Sequence, residues 1–101
     1  MDNVVPMFDP TNYLVVQRRI KSLWQKGVVE IRPHAVRQME ERKLDTNDLE
    51  RLIKYGQIVE HSKPGELWRF VINGTTTDNV RAACVVELNG RLIVVTVMRR
   101  R

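Results

Sequence analysis

Asn89-Gly90 separates two runs, 80–88 and 91–98, in which apolar side chains recur at every second position. Nothing else in the chain constrains its fold as strongly. Asn-Gly between alternating runs marks a hairpin with a two-residue type I′ turn. Leu88 then pairs with Arg91, which sets Cys84 against Val95, Ala82 against Val97 and Arg81 against Met98. Strand side chains alternate between faces. Val80, Ala82, Cys84, Val86 and Leu88 therefore form one apolar face that something must cover, while Arg81, Ala83, Val85 and Glu87 lie on the other.

The cover for that face precedes it in the chain. Asp9-Pro10 reads as a helix opening, since Asp caps and Pro suits the first helical position. Val16, Ile20, Leu23 and Trp24 then share one helical face, and Gly27 ends it. Val28–Ile31 reads as a short edge strand. Pro33 starts a second helix running to about Lys43, with Ala35, Val36 and Met39 inward. Asp45 or Thr46 caps a third, with Leu49, Leu52 and Ile53 inward, and Gly56 stops it. Beyond Gly56 the period falls to two: Ile58–His61 and Leu67–Ile72 read as strands around Ser62-Lys63-Pro64-Gly65. Trp68, Phe70 and Ile72 suit the core and Arg69 turns outward. The expected architecture is α+β, an antiparallel sheet of about four strands with helices on one face. At 101 residues it makes a single domain, 1–101, with a loose lead-in over 1–8 and a basic tail over 99–101.

Charge is distributed unevenly. Residues 1–31 carry net +1, residues 32–60 net zero and residues 61–101 net +4, which together give the chain its +5. That excess points to an anionic partner. Cys84 is the only cysteine, so an internal disulfide and a cysteine-based zinc cluster are excluded. No stretch approaches the roughly 18 apolar residues of a membrane span, and no basic segment leads into a long apolar run. The expectation is a cytoplasmic protein without a membrane partner.

Dinucleotide, phosphate-loop, serine-hydrolase and zinc-protease motifs are absent. With two histidines, no metal and no cofactor are expected. The remaining chemistry lies in one helix stripe and a set of arginines. His34, Gln38 and Arg42 follow one another at four-residue spacing. Histidine can move protons near neutral pH and arginine can grip a phosphate with two parallel bonds; equally, His34 can serve the helix start and Arg42 can pair with Glu41 or Asp45. Arg69 and Arg81 share the sheet face away from the helices with no acid at their expected level, and nothing in the sequence shows which aromatic, if any, stands beside them. Arg99, Arg100 and Arg101 are either RNA contacts or a solubilising end. His61 is a second proton-transfer candidate, or a plain loop histidine.

His34-Ala35-Val36-Arg37-Gln38-Met39-Glu40-Glu41-Arg42, then Leu44-Asp45, Asp48-Leu49 and Gly56-Gln57-Ile58-Val59-Glu60, resembles a bacterial domain family of unknown function. Its signature runs His-Ala, Arg-Met, Glu-Arg, a further helix and a Gly-x-Ile-Ile/Val-Glu strand; the match covers about 28–98. Gln38 stands where that signature usually has Arg, which removes one cation from the helix stripe. The element order is also similar to the MqsR group of RelE-like toxins. That resemblance implies a RelE-like fold, cleavage of messenger RNA either free or on the ribosome, and a cognate antitoxin. For a metal-independent endoribonuclease of that kind, the expected catalytic set is Arg69 and Arg81, taken from their shared sheet face, with His34 and Arg42 of the helix stripe. The alternatives are a module that binds RNA or the ribosome without cleavage, and a small protein–protein interaction domain.

Overall fold

The computed structural model describes residues 9–100. Three helices and five strands occur in the order α1 (Tyr13–Gln25), β1 (Val29–Ile31), α2 (Pro33–Glu41), α3 (Thr46–Tyr55), β2 (Gln57–Ser62), β3 (Arg69–Thr75), β4 (Arg81–Leu88) and β5 (Leu92–Arg99). The strands form one sheet in the order β1-β5-β4-β3-β2. Every pairing is antiparallel except β1 with β5, which is parallel. The sheet is thus mixed and five-stranded, where about four antiparallel strands were expected. A parallel neighbour needs a long crossover, and here most of the domain lies between β1 and β5.

Each helix begins and ends for local reasons. α1 starts at Tyr13, not Pro10: Asn12 caps it through Val15 N–H, while Asp9 is occupied by the Thr11 N–H and hydroxyl. It stops at Gly27, whose φ of +72° is a left-handed conformation open to glycine. α2 takes Pro33 in its first turn. Val36, expected inward, is exposed there. α3 begins with a reciprocal capping box, Asp45 accepting from Asp48 N–H and Asp48 from Asp45 N–H, both at 2.9 Å.

All three helices bury their apolar stripes on one face of the sheet. Val16, Ile20, Ala35, Met39, Leu49, Leu52 and Ile53 close over Ile58, Phe70, Ile72, Ala82, Cys84, Val86, Leu92, Val94 and Val97. The faces assigned to β3 and β4 from alternation hold. The register does not. Leu88 pairs with Leu92, and an irregularity between Val85 and Val86 shifts the ladder again, so Cys84 meets Val97 and Ala82 meets Arg99. Of Asn89 and Gly90 only Gly90 has positive φ, at +66°; type I′ needs it at both, and the connection spans three residues.

One close approach fixes how α3 meets the sheet. A Cβ on Gly56 would strike Leu52 O and would lie 2.7 Å from Ile72 Cγ2 and 2.8 Å from Asn73 O. Gly56 also donates its N–H to Leu52 O and accepts from Gln17 Nε2. The end of α3 thus lies directly on β3.

Candidate nucleic-acid interface

Arg69 and Arg81 do share the sheet face away from the helices, where Ala83 and Ile93 are buried, but they do not share a site. Arg69 pairs with Glu87 and Thr75 with Arg81, so six residues of strand, roughly 20 Å, separate the two arginines. Their surroundings differ as well. Glu87 accepts from Arg69 Nη2 at 2.8 Å and from Nε at 3.0 Å through one carboxylate oxygen. The expectation that no acid stood opposite Arg69 fails, because it rested on where β3 would fall beside β4. No carboxylate reaches Arg81 among the described residues.

Arg81 lines an open groove of about 520 Å³ with Tyr55, Gln57, Val59, Asn73, Gly74 and Thr75. Tyr55, the last residue of α3, is 74% exposed. Arg51, one turn earlier, places its guanidinium carbon 5.6 Å from the Tyr55 ring centre, a cation–π contact that steadies the ring. Arg100 donates its N–H to Arg81 O at 2.9 Å. Alternation along β5 sets Arg100 on the face of Arg81 and Arg99, opposite Ala82, on the helix side. Three cations and one exposed aromatic therefore gather at this end of the sheet. Arg101 lies outside the described residues, as does the lead-in over 1–8.

The floor of the groove is a pair of carboxamides. Gln57 and Asn73 face each other across β2 and β3. Asn73 Oδ1 is shielded from water and meets no donor among the described residues. Leaving such an acceptor unsatisfied costs about 1–3 kcal/mol.

Asp48 ties the neighbouring loop in place. It is 6% exposed and accepts from Thr77 N–H and hydroxyl at 3.0 and 2.8 Å in addition to its cap bond. Burial raises the pKa of its carboxyl, but the bonds from the Asp45 and Thr77 backbones and side chains outweigh it, and the net shift is downward. This holds the β3–β4 turn, and so the start of β4 at Arg81, against α3.

The helix stripe stands apart. Arg32 N–H bonds Val94 O, and Gln38 Oε1 accepts from Val97 N–H at 3.0 Å. α2 thus runs beside β5 toward its end. His34 is exposed at the Val94 level, about six residues or roughly 20 Å of strand short of Arg81. Arg42 ends α2 on the Arg99 side, 3.7 Å from Glu41. His34, Arg42, Arg69 and Arg81 are not brought together. His61 is not a loop residue: it lies on β2, with Nδ1 2.7 Å from the Tyr13 hydroxyl and its ring against Tyr13 and Trp68. Burial pushes the Cys84 thiol up to about 12, which leaves it inert as a nucleophile. Among the described residues no His, Cys, Asp and Glu group could hold a metal, and no helix is long and apolar enough to cross a membrane.

A family model for a domain of unknown function, DUF4258, matches residues 31–99. The chain belongs to this family. The DUF4258 region runs from the end of β1 through β5, so it carries nearly the whole sheet, Tyr55 and every groove residue, and leaves α1 outside. No curated protein and no solved structure matches the chain.

Proposed function

We propose that this DUF4258 domain binds single-stranded RNA across the Arg81 end of its sheet. One observation carries the reading: a guanidinium with no carboxylate partner among the described residues shares a groove with an exposed aromatic ring. A base stacks on an aromatic face whatever its sequence, and cations track the phosphates. Arg100 extends the positive charge along the same face. Titration of a fluorescent single-stranded RNA at several salt concentrations tests this. Affinity should fall with salt, since each neutralised phosphate releases a counterion, and Arg81→Ala should weaken binding while the fold survives. Salt-independent or absent binding overturns it.

A second reading is favoured by the same groove. Arg81 and the Tyr55 hydroxyl offer a charge stabiliser and a proton-bearing group in one groove. In a metal-independent endoribonuclease of the toxin type, an RNA 2′-hydroxyl attacks its neighbouring phosphate, the 5′-oxygen leaves, and a cyclic phosphate remains. The protein supplies position and charge. This reading brings with it a cognate antitoxin and substrate presented free or on the ribosome. Incubation with RNA in chelator should give cyclic-phosphate ends, and Arg81→Ala should slow cleavage by about 10²-fold. Intact RNA with retained binding reduces the function to binding alone.

A further inference from the structure

We infer that the groove reads one unpaired base and prefers adenine, with Asn73 as the specificity-determining residue. The inference rests on the RNA-binding reading above and adds the choice of base, which that reading leaves open. Stacking on Tyr55 and a phosphate on Arg81 do not distinguish bases; the carboxamides between them do. Gln57 is exposed and Asn73 is half-buried, side by side across two strands, on the floor between ring and guanidinium. Asn73 Oδ1 has no donor among the described residues, so the amide is not committed to holding the fold. A half-turn about its last torsion exchanges oxygen and nitrogen and brings the acceptor to the groove without breaking a hydrogen bond the structure shows.

A ligand that completes this set must lay a flat ring on Tyr55, present an anion to Arg81, and offer a donor and an acceptor side by side to an amide. A nucleotide does all three. Adenine offers the donor–acceptor pair on both its pairing edge and its major-groove edge, its amino group with N1 or with N7, and Asn or Gln pairs with the second of these bidentately. Over the same two edges, guanine, cytosine and uracil each confine such a pair to one. Adenine also brings the larger purine ring to the stack. Turned to the groove, Asn73 Oδ1 would accept from the amino group while the exposed Gln57 Nε2 beside it donates to the ring nitrogen, the other end of the Asn73 amide then taking the shielded position.

The test compares short oligo(A), oligo(C) and oligo(U) with the full chain at one salt concentration. Oligo(A) should bind about tenfold tighter than oligo(U), within the discrimination of one amide pair. Asn73→Ala should bring the three to within about twofold and leave the salt slope unchanged. The RNA carries a matching change: oligo(A) in which purine riboside replaces adenosine lacks the amino group and should lose the same factor against the unaltered protein, a result independent of how Asn73→Ala folds. Equal binding of the three oligonucleotides, or a preference that survives both changes, overturns this inference while RNA binding stands. No binding to any of them overturns both.

Discussion

Two arginines on one face of one sheet have opposite fates. Arg69 lies opposite Glu87, gives it two hydrogen bonds and is half-buried. Arg81 lies opposite Thr75, is exposed, and meets no carboxylate among the described residues. Residue type and face are the same, so neither makes a cation available. Register does: the directly opposed side chain decides whether a positive charge is spent inside the sheet or offered to a ligand. The Arg69 end is closed by an ion pair, and the Arg81 end is held open by a backbone approach at Gly56 and a buried carboxylate at Asp48.

The largest effect should come from breaking that support. Gly56→Ala puts a methyl group into Leu52 O, Ile72 and Asn73, and overpacking of this kind against backbone should cost about 3 kcal/mol. Gly65, where an added Cβ meets nothing within 4 Å, should accept Ala at almost no cost. Urea midpoints of the two variants read the contrast directly.

Next comes Asp48. Asp48→Ala removes one half of the capping box, leaving the Asp45 cap in place, and strands the Thr77 donors, for about 2 kcal/mol. The folded carboxyl sits below its ordinary value. Its contribution is therefore complete above the usual carboxylate range, about pH 4, and is lost as pH falls through the lower folded value. An acid titration of stability should show this loss in the parent chain and a flatter limb in Asp48→Ala.

The two arginines themselves give the sharpest test. Arg81→Ala should weaken RNA binding about tenfold and change stability within about 0.5 kcal/mol. Arg69→Ala should do the reverse, leaving affinity within about twofold and costing about 1 kcal/mol by stranding Glu87. Equal losses of affinity in both variants would make the whole face, not its end, the interface.

The smallest effect divides neighbours. Arg100→Ala should weaken binding about threefold and reduce the salt slope by about one. Arg99→Ala, on the opposite side of the strand, should leave both nearly unchanged. Reversed results would place the RNA on the helix side.

Much of this fold was readable in the chain. The stripe Leu49, Leu52, Ile53 with Asp45 before it and Gly56 after it gives α3 nearly to the residue, and alternation over 80–88 gives the correct buried face of β4. Register was not readable, because it turns on backbone events without a side-chain signature. The irregularity between Val85 and Val86 and the three-residue turn moved every β4–β5 pair. Glu87 opposite Arg69 depends likewise on how β3 is delivered to β4. The parallel placement of β1 carries no local signal at all. The site was half legible. Arg81 on the face away from the helices follows from alternation, but its aromatic companion does not belong to any strand. Tyr55 falls outside the Leu49–Leu52–Ile53 stripe, and that omission from the buried face was the available hint. The pairing of Gln57 with Asn73 needed the sheet.

β1 covers only Leu92–Val94 of an eight-residue strand, and the uncovered stretch opens with three β-branched residues, Val95, Thr96 and Val97. Left bare, such an edge would invite another chain to continue the ladder, the first step toward insoluble cross-β stacking, but α2 runs beside it. Gln38 meets this hazard by taking the Val97 N–H with its own carbonyl. The glutamine between His34 and Arg42 is thus a gatekeeper of colloidal behaviour: a side chain without an acceptor at its position would leave the Val97 N–H open to a neighbouring chain.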